Sequence, residues 1–288
     1  HGSSSATTLF DTFTDEPTEK ILRATLCMSG PSDRFAALQS KGKRYYQEDD
    51  FGFLDDRDSS DSENEHTLLV VADGMGGHAA GAKASQIVTE SFIDTYQRSD
   101  GSISSRLQTS LQQCNDEIVE ASKKSKALKG MGTTLLAAVV SNGGLEWISV
   151  GDSPLWLYRE GTLRRMNADH SMSPILAEMV EAGEMTEAQA AIDPKRSALR
   201  SAVMGRKLSL IDESKNPTVL QRGDRILLAT DGILTLSDEQ IAKIIENNHA
   251  APNEDSVTSI MHDVNDTYNF NQDNTTILLY SIAFDSNQ

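Results

Sequence analysis

Apolar residues along this chain form two kinds of run. The first kind is short and continuous: Thr67-Leu-Leu-Val-Val-Ala72, Gly130-Met-Gly-Thr-Thr-Leu-Leu-Ala-Ala-Val-Val140 and Arg225-Ile-Leu-Leu-Ala229. Such runs, bounded by Gly and Asp, predict buried strands. Arg34–Gln39, a segment ending at Phe53, Leu145–Val150, Pro154–Tyr158 and Asp273–Tyr280 extend the strand set. The second kind is periodic. Ala84, Ile87, Val88 and Phe92 recur at helical spacing, as do Ile103, Leu107, Leu111, Cys114, Ile118 and Ala121, and then Ile241, Ile244 and Ile245. These predict helices with one buried face, and a last helix is predicted around Val257–Val264.

Turn and cap chemistry divides the runs. Asn142-Gly-Gly predicts a hairpin, and Gly151-Asp152-Ser153 a second tight turn, so 130–158 reads as an antiparallel β-meander. The segment 166–205 is polar and helical. Ser173-Pro174 opens one short helix with a cap and an N1 proline, and Thr186-Glu-Ala-Gln189 is a capping box for another. Lying between strands, it predicts a small protruding flap. Ser237 caps the helix that carries Ile241.

The 288 residues, 38% hydrophobic, suffice for a single large core. No run approaches transmembrane length. The net charge of −17, with 26 Lys and Arg against 43 Asp and Glu, opposes a nucleic-acid or anionic-membrane surface. Cys27 and Cys114 are two isolated cysteines, not a disulfide framework or zinc pattern. Six residues separate Cys27 from Arg34 where a cysteine-phosphatase loop needs five. No signal peptide is visible, which predicts a cytoplasmic protein. Residues 1–25 read as a tag remnant (His1-Gly-Ser-Ser-Ser) and a flexible tail, and 26–285 as one domain. The acidic stretch 55–65 reads as a solvated, mobile loop that lacks EF-hand spacing. Lys123, Lys124, Lys126 and Lys129 near a helix end read as a complement to its C-terminal dipole.

The candidate chemistry begins at Asp73, where an apolar strand meets Gly74, Gly76, Gly77 and Gly81. The glycines allow tight turning and leave main-chain groups uncovered. Ala82 stands where a P-loop needs lysine, and Asp73 would oppose a pyrophosphate, so neither nucleotide motif fits. Asp49, Asp152, Asp231 and Asp273 likewise sit at strand edges beside turns, and Asp231 is also followed by glycine. Any one of them could merely cap a turn. Together, on strands sharing one core, they can converge, and converging carboxylates require cations. Oxygen ligands without a His/Cys cluster indicate Mg²⁺ or Mn²⁺. A pair of such ions acidifies water and clamps a phosphoryl group.

With these segments in order, the chain resembles the metal-dependent serine/threonine protein phosphatases of type 2C, in their bacterial form. The resemblance rests on Gly42-Lys-Arg44-Tyr-Tyr-Gln-Glu48-Asp49, Val71-Ala-Asp73-Gly-Met-Gly-Gly-His78, Gly132-Thr-Thr134, Gly151-Asp-Ser153, Ala168-Asp-His-Ser171, Glu181-Ala-Gly-Glu-Met-Thr186, Ala229-Thr-Asp231-Gly232 and Asp273-Asn-Thr275, across about residues 32–283. It implies an α+β fold: a four-layer α/β/β/α sandwich of two antiparallel sheets flanked by helices. It implies hydrolysis of phosphoserine and phosphothreonine by a metal-bridging hydroxide at a binuclear Mg²⁺ or Mn²⁺ site. In that scheme Asp73 bridges two ions and the Gly74 carbonyl binds one of them. Asp231 and Asp273 complete the other ion's shell, and Asp152 with Asp231 holds a third, weaker ion. Glu48 and Asp49 hold metal-bound waters, with Asn274 in the same outer layer. Arg44 holds the substrate phosphate, and His78 is the candidate general acid.

Implied partners are phosphorylated protein substrates, notably a Ser/Thr kinase and its targets, with no nucleic acid and no membrane span, and the enzyme is expected to be a monomer. Ala82, where bacterial relatives often have Glu, Pro154, where Arg is common, and the long acidic loop depart from the pattern without removing a ligand. The competing reading, a phosphoprotein-binding pseudophosphatase or regulatory partner, requires lost ligands.

Overall fold

The computed structural model describes residues 21–22, 34–55 and 66–282. Most of the predicted tail and the acidic loop beyond Asp55 therefore lie outside the described residues. The strands are β1 (Ile21–Leu22), β2 (Phe35–Ser40), β3 (Asp49–Asp55), β4 (His66–Met75), β5 (Gly132–Thr133), β6 (Leu135–Ser141) and β7 (Gly144–Val150). They continue with β8 (Leu155–Arg159), β9 (Thr162–Arg165), β10 (Asp212–Glu213), β11 (Thr218–Val219), β12 (Arg225–Ala229) and β13 (Thr275–Ser281). The helices are α1 (Ala79–Arg98), α2 (Ile103–Lys124), α3 (Ser173–Glu181), α4 (Glu187–Ala191), α5 (Asp238–Asn247) and α6 (Asn253–Asp266).

One antiparallel sheet runs β1-β2-β13-β12-β8-β9; the other runs β10-β7-β6-β4-β3, with β11 on β7 and β5 on β4. Alternation along each central strand explains why the sheets stack. On β4, Leu69 and Val71 enter the core between the sheets, while Leu68 and Val70 pack under α1 and α2. On β12, Ile226 and Leu228 face the inter-sheet core, while Leu227 and Ala229 lie under α5 and α6. Both faces are covered, so both must be apolar, and the period of two disappears into a continuous run. Each fully buried Leu, Val or Ile contributes about 1.5–3 kcal/mol. The expected α/β/β/α layering is the observed one.

Four local expectations are corrected. The strand through Asp73 does not stop there: β4 continues to Met75, and Gly74 and Met75 pair with Thr133 and Gly132 of β5. The predicted strand 130–140 is broken at Thr134 into β5 and β6. The meander fails at Gly151–Pro154. There the chain leaves the sheet of β7 and enters the other as β8, beside β12 and β9, because Leu155 and Leu157 fill the inter-sheet core from the opposite side. Ser173 is not a cap: Met172 occupies that position with no side-chain bond, and the Ser173 amide donates to Ser171 Oγ. The capping boxes at Thr186 and Ser237 are present as expected. The two-residue strand β1 lies inside the segment expected to be a tail and pairs with β2. The segment carrying α3 and α4 is tied at both ends by backbone bridges, Ser171 to Leu199 and Thr133 to Val203.

Candidate metal centre

Sheet register delivers the first two acids. Asp49 on β3 lies opposite Asp73 on β4. Asp152 comes from the crossing between sheets, Asp231 opens a 3-10 turn after β12, and Asp273 lies just before β13. One carboxylate oxygen from each of Asp73, Asp152 and Asp231 falls within 4.8 Å of the others. Ligand oxygens on one hard cation, at about 2.0–2.6 Å each, are separated by similar distances. The group forms where the two sheets meet, at the ends of strands from both.

Backbone and hydroxyl hydrogen bonds hold the Asp73 turn and the Asp49 carboxylate in place. The Asp73 amide donates to Thr134 Oγ1 (2.9 Å), and the Thr134 amide donates to the Asp73 carbonyl (2.9 Å). Thr134 Oγ1 also meets Ser153 Oγ at 2.9 Å, which ties the turns of Asp73 and Asp152 together. Asp49 Oδ2 accepts from Thr230 Oγ1 (2.7 Å) and Thr276 Oγ1 (2.8 Å). Gly74 and Gly81 allow an approach no side chain would permit. A Cβ on Gly74 would lie 2.1 Å from the Gly81 carbonyl oxygen, and one on Gly81 would lie 2.2 Å from Glu48 Oε1. The first turn of α1 thus closes directly over Glu48.

Burial, and then mutual repulsion, disfavour ionisation throughout the group. Desolvation raises Asp49 to about 7 against the bonds from Thr230 and Thr276, with Asp231 and Asp273 adding to it. Desolvation raises Asp152 to about 8, with Asp231 and Asp169 adding to it. Asp73 is pushed far up by burial and by Asp49, Asp231 and Asp152; Asp231 and Glu48 also rise, each mainly through burial. Among the described residues, the buried oxygens Glu48 Oε1, Asp49 Oδ1 and Asp231 Oδ1 have no hydrogen-bond partner. Buried acceptors without donors, held together by folding, fit divalent cations and their waters. An all-oxygen set fits Mg²⁺ or Mn²⁺.

The remaining predicted residues lie at the rim. Asp273 Oδ2 accepts from Arg44 Nη2 at 3.2 Å, with the two side chains 41% and 51% exposed. Such a half-exposed pair is worth roughly 0–1 kcal/mol, so Arg44 is readily exchangeable to another anion. His78 is exposed at the start of α1 with φ 54°, its ring 4.8 Å from that of Tyr46. It makes no hydrogen bond to the carboxylates among the described residues.

Asn274 is a clamp. Its Oδ1 accepts from the Glu48 amide (2.9 Å), its Nδ2 donates to the Lys41 and Tyr46 carbonyls (both 2.9 Å), and its amide donates to Asp273 Oδ1 (2.8 Å). Asn274→Ala strands a part-buried donor and two part-buried acceptors. It should lower stability by about 1–3 kcal/mol and kcat/KM by about 10–100-fold, the usual cost of losing a group that orients metal ligands. Thermal melts and steady-state kinetics check both values. Thr134, Thr230 and Thr276 carry no signal in the sequence, since hydroxyls on apolar strands give no pattern. Asp169 is likewise not marked as a site residue by its sequence, although that acid lies close enough to raise Asp152 and Asp231.

Residues 47–267 match the model of a family described as protein phosphatase 2C. Over 201 residues the chain is 30% identical to the serine/threonine phosphatase stp of Listeria monocytogenes serotype 4b, covering 68% of this chain and 75% of that protein. Over 240 residues it is 32% identical to the serine/threonine protein phosphatase PstP of Mycobacterium tuberculosis, covering 77% of this chain and 44% of that one. The crystal structure of M. tuberculosis PstP/Ppp superposes with a TM-score of 0.71 at 26% identity, over 87% of this chain and 99% of that chain. The PstP catalytic domain in complex with two manganese ions gives a TM-score of 0.68 at 26% identity, over 87% and 98%.

Proposed function

Because this chain belongs to the protein phosphatase 2C family, we infer that its carboxylate cleft is the active centre of a metal-dependent serine/threonine protein phosphatase. It hydrolyses phosphoserine and phosphothreonine on proteins with Mg²⁺ or Mn²⁺. The observation that carries this reading is the meeting of Asp73, Asp152 and Asp231 within 4.8 Å at an edge where buried acceptors lack donors. Asp73 and the Gly74 carbonyl would hold one ion, Asp73, Asp231 and Asp273 the second, and Asp152 with Asp231 a third. Bound there, the ions supply Lewis-acid charge and an acidified water for displacement at phosphorus.

The chain's own residues do the rest. Thr230 and Thr276 hold Asp49 in one orientation and favour its charged form. Glu48, seated against Gly81, and Asp49 would accept hydrogen bonds from water that the ions bring. Arg44 turns from Asp273 to the substrate phosphate, a charge-assisted fork that orients the phosphorus. His78, exposed at the rim, is the group placed to protonate the departing serine or threonine oxygen. Arg44→Ala should raise KM for a phosphopeptide about tenfold with a smaller change in kcat, since a hydrogen bond to a charged group is worth about 1.5–3 kcal/mol.

The substrates of this reading are a serine/threonine kinase and its targets, dephosphorylated by a monomeric, cytoplasmic enzyme. No helix of the described residues is long and apolar enough to cross a membrane. The test is turnover of a phosphothreonine peptide by the purified chain. Hydrolysis with Mn²⁺ that stops on chelation supports it. Binding of the peptide without turnover at any Mn²⁺ concentration would leave a pseudophosphatase instead.

A further inference from the structure

Four lysines fall within residues 123–129, with no acid among them. Only Lys123 and Lys124 belong to the last turn of α2. Lys126 opens the short 3-10 turn Lys126–Leu128, and Lys129 follows it. The helix dipole therefore accounts for two lysines and not for the other two. Lys123 Nζ pairs with Glu120 at 3.1 Å, whereas Lys126 and Lys129 make no ion pair among the described residues.

These lysines border a cleft. It is shallow and open to solvent, with a volume of about 430 Å³, and Lys123, Lys126 and Lys129 line it together with Met204 and Gly205. The Met204–Gly205 side is fixed in place. Gly205 has φ +79° and lies so close to α2 that a Cβ would stand 2.9 Å from Val119 Cγ2. Asn115 pins it: its Oδ1 accepts from the Gly205 amide (2.9 Å) and its Nδ2 donates to the Arg206 carbonyl (2.8 Å). Arg206 and Lys207 follow, both exposed. Three lysines thus line one depression in a chain of net charge −17.

Backbone pairing links the Met204–Gly205 side of the cleft to the carboxylate centre. Val203 exchanges backbone hydrogen bonds with Thr133 (2.8 and 3.1 Å), and Thr133 pairs with Gly74. Met204 Cγ lies 2.7 Å from where a Gly132 Cβ would stand, with Met75 Cγ at 3.3 Å. Two backbone pairings, Val203 with Thr133 and Thr133 with Gly74, therefore lie between the Met204–Gly205 side of the cleft and the Asp73–Gly74 turn. A peptide whose phosphoresidue occupies the carboxylate centre can lay its flank across this edge. The net charge of −17 repels an anionic flank at long range, and the lysines of this edge attract it locally.

We infer that the lysine cleft binds an Asp/Glu-rich flank of the protein substrate and so selects phosphoproteins with acidic neighbouring residues. The inference rests on the phosphatase reading, and its test separates the two. Three substrates are compared with Mn²⁺: p-nitrophenyl phosphate, a phosphothreonine peptide with neutral flanks, and the same peptide with Asp/Glu flanks. The native chain should favour the acidic peptide about tenfold in kcat/KM, mostly through KM, since exposed charge pairs are weak singly and three act together. The preference should vanish at about 1 M salt, where the screening length is ~3 Å.

Lys126→Ala combined with Lys129→Ala should remove the preference and leave p-nitrophenyl phosphate hydrolysis unchanged. Equal kcat/KM for both peptides in the native chain, or an equal loss on all three substrates, overturns the inference. If the native chain hydrolyses nothing, the phosphatase reading fails, and fluorescence anisotropy of the labelled acidic peptide on chelator-treated protein decides the cleft alone. Binding lost in the double variant supports it. Binding that is absent, unaltered by the variant, or displaced by RNA of equal charge overturns it.

Discussion

Asp231→Asn should abolish Mn²⁺-dependent hydrolysis of p-nitrophenyl phosphate while leaving the fold intact, and Asp273→Asn should do the same. Asp231 is the carboxylate nearest to being shared: it groups with Asp73 and Asp152 within 4.8 Å, and Asp273 raises its pKa. Removing one such ligand forfeits several kcal/mol of Lewis-acid stabilisation, which at 1.36 kcal/mol per tenfold is about 10³-fold or more in rate. The same change should not harm the metal-free fold. Asp231 Oδ1 is buried without a partner, and its charge repels its neighbours, so the Asn variant should melt at the same or a higher temperature in chelator. Mn²⁺ should raise the melting temperature of the native chain and do so weakly or not at all in the variant. Full activity in either variant would show that these carboxylates do not hold the catalytic ions.

The metal-free protein should lose stability as pH rises from about 4 to about 8, and Mn²⁺ should cancel most of that loss. Unfolded aspartates titrate near ~3.9, whereas in the folded chain Asp49 titrates at about 7 and Asp152 at about 8. Between those limits the folded state binds more protons than the unfolded state. Stability then falls with pH; it is fully present below ~4 and lost once the folded values are passed. Each tenfold difference in proton affinity between the two states is worth at most about 1.36 kcal/mol, so the loss should be on the order of several kcal/mol. Divalent cations take the place of the protons, so their stabilisation grows as pH rises.

Self-repulsion of a chain with net charge −17 gives a slope of the same sign. The difference between denaturation midpoints in chelator and in Mn²⁺, at about pH 5 and about pH 8, isolates the carboxylate centre. Asp50 supplies an internal control. Burial and Glu90 raise it to about 7, but it is not among the acids that meet at the centre. Asp50→Asn should therefore flatten both curves equally. A chelator curve that climbs with pH would contradict the proton linkage.

Much of this was legible in the chain before folding. Continuous apolar runs marked β4, β6 and β12 because strands covered on both faces have no polar period to show. Helices α1, α2 and α5 announced themselves by spacing, and Thr186 and Ser237 by their reciprocal partners Gln189 and Gln240. Asp73, Asp152 and Asp231 stood out as acids at the ends of apolar runs, where as a set they exceed what turn capping requires. These are features of a residue and its near neighbours, and near neighbours are what periodicity, capping and turn geometry depend on.

Only the tertiary structure decided which ends meet. Whether β8 joins β7 or crosses to β12 depends on where Leu155 and Leu157 find room. The donors that hold Asp49 come from 181 and 227 residues away, and Gly205 lines the same cleft as Lys126. Closing a longer loop costs only a logarithmic increment, so distance along the chain hardly constrains such pairings. They are selected by burial of complementary faces and by polar groups that would otherwise be left unmatched in the interior.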